Sequence, residues 1–234
     1  MYWTGNSRSG AEPVEQVKIV VLDVDGTLVD TNYLHTEAWA RALEEVGRRV
    51  PRVEVHRQIG KGADKLISEF VGDEAADKVD RRHSEIYGEM QHYGYPLPGS
   101  GELARSLDDR GYGVWLVTSA KPEELDRHLD ALGISESISG VVSSGDAAEA
   151  KPAPDVFELA LKRAGVEAEE AITAGDSVWD IQAAARAGIE SVAVLSGGAF
   201  SRRELEDAGA RAVYRDCAEL LETGFPENVR RGTG

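Results

Sequence analysis

The sequence predicts an α/β protein: a parallel sheet with helices on both faces and a helical segment inserted after the first strand. Three observations predict it. A short apolar run at residues 19–22, continued by Val24, reads as a strand buried on both faces. From residue 112 onward, β-branched runs alternate with amphipathic helical patterns, the signature of a parallel sheet covered by helices. Between these two regions, residues 32–94 keep helical character and contain no convincing strand.

The first strand sits in KIVVLDVDGTLVD at residues 18–30 and ends in two acids, Asp23 and Asp25, with Gly26 directly behind. In an extended chain, residues two apart point to the same side, roughly 6.6 Å apart. Both carboxylates are therefore expected to face one small volume beyond the strand's carboxyl end, where open α/β sheets bind ligands. Buried there, they are costly unless something pairs with them. A calcium loop of the EF-hand type would place its glycine sixth and a helix in front; here a strand precedes. A plain turn is the other alternative, and a metal-assisted nucleophile is the sharper one.

Asp30, Thr31 and Asn32 are helix-capping types, and Leu34, Ala38, Ala42, Leu43 and Val46 continue as a helix. Leu66, Ile67 and Phe70 suggest a second helix; Ala75, Val79, Ile86 and Met90 suggest a third. Two prolines and a glycine at residues 96–99 break the pattern. Strands are then expected at 112–117, 138–142, 171–174, 191–195 and 212–214. Helices are expected at 122–132, 154–164, 178–187 and 217–222, the first three stopped by Gly133, Gly165 and Gly188.

Bulk properties narrow the function. The chain has 234 residues and a formal charge of −16, which argues against a sequence-independent grip on nucleic acid or an anionic membrane. Cys217 is the one cysteine, so neither a disulfide framework nor a thiolate cluster is expected. No apolar run approaches the roughly 20 residues of a membrane span. Residues 1–16 lack a signal-peptide core and read as a flexible lead-in, which makes a cytoplasmic protein the default.

Three further polar signals follow strands on the same edge as Asp23: Thr118-Ser119, Lys151-Pro152, and Gly175-Asp176 with Asp180 one helical turn later. Each has a plain structural alternative. Thr118 or Ser119 could cap a helix, Lys151 could be a solvated charge, and Asp176 could be an N-cap with Asp180 on the helix surface. Together they suit one reaction. Like charges about 4 Å apart repel by roughly 4 kcal/mol at an effective dielectric near 20. A hard divalent cation relieves that, and Mg²⁺ takes carboxylates together with phosphate oxygens. Asp23 would attack phosphorus to form an aspartyl-phosphate, Thr118 and Lys151 would hold the phosphoryl oxygens, and Asp25 would move the proton.

DVDGT at 23–27, the hydroxyl pair Thr118-Ser119, AKPAPDVF at 150–157 and GDSVWD at 175–180 resemble, in order, the four motifs of the haloacid dehalogenase superfamily. The resemblance implies a Rossmann-like core at 17–31 and 95–234, a helical cap at 32–94, a Mg²⁺ cofactor and phosphatase chemistry. By position it implies Asp23 as nucleophile and Asp25 as general acid/base, with the Asp25 main-chain carbonyl on the metal. It also implies Asp176 as a metal ligand, Asp180 as a second carboxylate behind it, and Thr118 and Lys151 on the phosphoryl group. Leu22 departs from the pattern, where an aromatic residue is common.

In the cap, residues 56–62 (HRQIGKG) suit a mobile loop near an anion, with Arg57 and Lys61 as substrate contacts. That loop resembles the specificity loop of phosphoglycolate-phosphatase-like and sugar-phosphomutase-like members; a solvated loop is the alternative. Lys121 could reach substrate or remain a surface charge. His35 could hydrogen-bond near Asp25, as in the mutases, or be a partly buried helix residue. The expected activity is a Mg²⁺-dependent phosphatase on a small phosphorylated metabolite, in a monomer or homodimer. The alternatives are a β-phosphoglucomutase-like phosphoryl transferase, a phosphonatase using Lys61 or Lys65, and a non-catalytic binding module. Dehalogenation is disfavoured, since those relatives lack the second acid and the metal.

Overall fold

A computed structural model describes residues 17–120, 122–143 and 145–230. The expected flexible lead-in and Lys121 lie outside the described residues. The centre is a six-stranded, all-parallel sheet built from β1 (Ile19–Asp23), β2 (Gly113–Thr118), β3 (Ile138–Ser143), β4 (Ala171–Gly175), β5 (Glu190–Val194) and β6 (Val213–Tyr214). The strand order is β3-β2-β1-β4-β5-β6. The chain therefore leaves β1 in one direction for two strands and returns to its other side for three. That reversal is the switch point at which α/β sheets build sites.

β1 is buried throughout because alternate residues feed opposite cores. Val20 and Leu22 join one apolar cluster, and Ile19 and Val21 join the other. Helices α5 (Ser100–Asp109), α6 (Pro122–Leu132) and α10 (Cys217–Glu222) contribute Leu103, Leu107, Leu132 and Leu220 to the first face. The second face is covered by α7 (Asp155–Ala164) and α8 (Val178–Arg186) through Phe157, Ala160, Ala183 and Ala184. Two short helices, α9 (Arg202–Asp207) and α11 (Glu227–Arg230), complete this part.

The insert holds four helices: α1 (Asn32–Glu45), α2 (Arg52–His56), α3 (Ala63–Phe70) and α4 (Asp73–Met90). They enclose an apolar cluster of their own around Trp39, Leu43, Val55, Leu66, Val79 and Ile86. Gly165 caps α7 in the left-handed region at φ +69°, as its place after the apolar pattern predicts. Three expectations need correction. The first strand ends at Asp23, one residue short of Val24. His56 belongs to a helix rather than to the loop. Helices α5, α9 and α11 have no counterpart in the sequence reading. Among the described residues, no helix is long and apolar enough to cross a membrane.

Candidate active site

Asp23 closes β1 and is 7% exposed. Lys151, from the turn between β3 and α7, places Nζ 2.7 Å from Asp23 Oδ1 and 2.6 Å from Asp180 Oδ1. Asp176 follows β4, and one oxygen each of Asp23, Asp176 and Asp180 lies within 4.8 Å of the others. Asp180 is fixed by the start of α8: the Ser177 hydroxyl donates to Asp180 Oδ2 at 2.5 Å and accepts from the Asp180 amide at 3.3 Å. That reciprocal cap leaves Oδ1 aimed at the lysine. Thr118 ends β2 with its Oγ1 accepting from the Ala120 amide at 2.9 Å, so its hydroxyl proton is available to a ligand.

Two residues that the sequence reading passed over brace this cluster. Thr27 Oγ1 lies 3.3 Å from Asp23 Oδ2 and 3.4 Å from Asp176 Oδ1. Asn32 Nδ2 donates to Asp176 Oδ2 at 2.9 Å. The signal was in reach, since Thr27 lies inside DVDGT and Asn32 was read as a capping type. Gly26 lets the chain turn between them at φ +78°, where any side chain would also collide with Asn32 and Asp176.

Burial, with the charges of Asp180 and Asp25, raises the Asp23 carboxyl to about 7 despite the opposing Lys151 ammonium. Burial and the charge of Asp23 likewise push Asp176 well above the carboxylate range. Lys151 is held protonated: the two carboxylates outweigh its burial. Three buried carboxylates against one ammonium leave two negative charges uncompensated when all are ionised. A divalent cation fits that deficit, and the all-oxygen donor set suits a hard ion.

The Asp25 side chain faces elsewhere, contrary to the expectation that it shares one volume with Asp23. With β1 ended, Asp25 forms a bridge with Val29. Its Oδ1 accepts from Thr31 Oγ1 at 2.6 Å and stands 3.5 Å from His35 Nε2. Burial raises the Asp25 carboxyl, but the hydrogen bond and charge of His35 outweigh it and hold the group below its usual range. His35 is raised in turn to about 9 by Asp25 and Glu124, against its burial.

Asp25 and His35 line a cavity of about 330 Å³ between the insert and the carboxyl edge of the sheet. Lys61, Ser119, Glu124 and Arg127 line it too. Lys61 Nζ is paired with Glu69 at 2.8 Å and lies 4.3 Å above the Trp179 ring. Arg57 lies outside this lining: it donates to Glu204 at 2.6 Å and to the Ala199 carbonyl at 3.1 Å, tying the insert to α9. Lys65 donates to the Ala150 carbonyl at 2.7 Å.

The profile of the haloacid dehalogenase-like hydrolases matches residues 17–188. The chain belongs to the haloacid dehalogenase-like hydrolases. Within this family it is 34% identical over 227 residues to a phosphoglycolate phosphatase of Rhodospirillum rubrum, a match covering 90% of the chain and 92% of that protein. Among solved structures, a hydrolase from Pseudomonas syringae superposes with a TM-score of 0.82 at 33% identity, covering 88% of this chain and 96% of that one. CbbY from Rhodobacter sphaeroides, solved with phosphate, gives a TM-score of 0.74 at 23% identity over 88% and 96% of the two chains, a likeness of fold. This hydrolase carries its acidic cluster where the sheet's strand order reverses.

Proposed function

We propose that this hydrolase is a Mg²⁺-dependent phosphatase acting on a small phosphorylated metabolite, phosphoglycolate or a sugar phosphate, through an aspartyl-phosphate. The observation that carries the reading is the division of labour between the acid that ends β1 and the one two residues beyond it. Asp23 sits among Asp176, Asp180 and Lys151, while Asp25 turns to Thr31 and His35 at the cavity wall. In-line attack of an Asp23 oxygen on phosphorus breaks the bond to the leaving oxygen, which takes a proton that Asp25 relays from the protonated His35 beside it. Asp25 then deprotonates water, whose attack on phosphorus frees phosphate and restores Asp23. Lys151 and Thr118 hold the phosphoryl oxygens, and Ser119 lies beside them. Asp23, Asp176 and the Asp25 carbonyl would hold Mg²⁺, with Asp180 behind, and the ion would supply neutralising charge for the phosphoryl oxygens. The insert at 32–94 serves as a cap that excludes water and selects substrate, with His35 and Lys61 facing the cavity.

The test is phosphate release from a panel that includes 2-phosphoglycolate and hexose monophosphates, with Mg²⁺ or with chelator. Turnover of at least one compound only with Mg²⁺ supports the reading; no turnover of any sinks it. A second reading, a β-phosphoglucomutase-like transferase, is favoured by His35 standing against Asp25. It requires that a hexose bisphosphate activate turnover of a hexose phosphate. A phosphatase needs no such activator.

A further inference from the structure

Glu124 meets His35 and Asp25 on the cavity wall, yet the reaction written above gives it no part. It lies on α6, which sends Leu125 and Leu132 into the core beneath the sheet. Glu124 and His128 stand one turn apart on that helix and are 8% and 6% exposed. A carboxylate buried this far is costly unless its oxygens are paired. The pairing crosses the cavity. Glu124 Oε1 stands 3.5 Å from His35 Nε2 and 3.5 Å from His128 Nε2, and the Tyr87 hydroxyl bonds to the same carboxylate. His35 and Tyr87 belong to α1 and α4 of the insert, so a charge on the sheet side is satisfied in large part by the insert.

The same contact restrains His35. Its Nε2 stands 3.5 Å from Asp25 Oδ1, the distance it also keeps from Glu124 Oε1. Its Nδ1 meets His83 Nε2 at 3.1 Å, and its ring lies nearly parallel to Tyr87, with centroids 3.9 Å apart. His83 and Tyr87 both sit on α4 and hold the ring within the insert. They leave open how the ring meets Asp25, which lies just after β1. Glu124 supplies a restraint from the sheet side, on the nitrogen that faces Asp25.

We propose that Glu124 is a positioning residue for proton transfer: anchored by His128 and Tyr87, its carboxylate holds the His35 imidazole against Asp25. The inference rests on the phosphatase reading, in which Asp25 passes a proton from His35 to the leaving oxygen. Glu124 acts through His35. A displacement of about 1 Å in a reacting group can cost roughly 10²-fold in rate. Here the loss falls on substrates whose leaving oxygen needs that proton.

The experiment compares the wild-type chain with Glu124→Gln, His35→Ala and the double variant, all in Mg²⁺. Each is assayed on the alkyl phosphate that the wild type turns over best and on 4-nitrophenyl phosphate, whose leaving group departs without a proton. The readout is kcat/KM, which covers the steps through phosphoryl transfer to Asp23. Glu124→Gln should lower it at least about tenfold more for the alkyl ester than for the aryl ester. A purely structural role lowers both alike. In the His35→Ala background, Glu124→Gln should leave the alkyl-to-aryl ratio where His35→Ala put it. Circular dichroism checks folding; if the glutamine variant is unfolded, Glu124→Asp, which keeps the charge but withdraws it by one methylene, decides by the same ratio. Melting adds a readout without turnover: the Tm losses of the two single variants should be non-additive in the double variant. Equal losses on the two esters, or strictly additive Tm losses, in a chain whose wild type is active overturn this inference and leave the phosphatase reading standing. A wild type that turns over neither ester overturns both.

Discussion

Lys151 is the residue whose loss is felt twice. Its ammonium bridges Asp23 and Asp180 while 5% exposed, so truncation strands two buried carboxylates. Removing one partner of a buried ion pair typically costs about 3–5 kcal/mol. For a domain of this size, that lowers Tm by roughly 6–20 °C. Lys151→Ala should therefore show a lowered but cooperative melting transition, together with loss of phosphate release. An unchanged Tm would mean the pair is not formed in solution. Asp25 makes a different prediction because its carboxyl is held by Thr31 and His35 rather than by the lysine. Asp25→Asn should lower kcat by about 10²–10⁴, the usual worth of a general acid/base. Wild-type turnover in that variant would remove Asp25 from the chemistry.

At the scale of elements, the start of α8 links stability to geometry. Ser177 and Asp180 cap one another, and the same Asp180 presents its other oxygen to Lys151. Ser177→Ala should cost about 1 kcal/mol, the typical worth of an N-cap, and reduce kcat by freeing Asp180 to turn. A Tm loss with unchanged kcat would confine Ser177 to a structural role. This element also shows what the sequence made legible. Strand β1, the glycine-stopped helices and the polar residues after β1, β2, β3 and β4 were all readable, because hydrophobic period and turn chemistry are local. Helix α5 was missed although Leu103 and Leu107 are fully buried; the break at residues 96–99 masked its start. Helix α9 was missed despite the reciprocal Ser201–Glu204 cap, because six residues carry too little periodicity. The turning of Asp25 away from Asp23 was not legible at all. It depends on where β1 stops pairing and on Thr31 and His35, which only the folded chain brings beside it.

For the whole molecule, the crowding of buried acids ties stability to pH and to cation. Asp23 is raised from 3.8 to about 7, so its contribution to stability is fully present below 3.8 and is lost as pH rises through about 7. His35, raised from 6.5 to about 9, contributes below 6.5 and loses that contribution as pH rises through about 9. In chelator, Tm should therefore fall between pH 5 and pH 8. Mg²⁺ should remove the aspartate part of that slope, giving its largest stabilisation at the alkaline end. Equal slopes with and without Mg²⁺ would show that no cation joins the cluster. The central claim is that Asp23, braced by Lys151 and facing Asp176, accepts the phosphoryl group. It is tested most directly by Mg²⁺-dependent phosphate release in Asp23→Asn, using the substrate that the wild-type protein turns over best. The account predicts a loss of at least about 10³-fold, as for other removed nucleophiles, in a protein that still melts cooperatively. Phosphate release near the wild-type rate would contradict it.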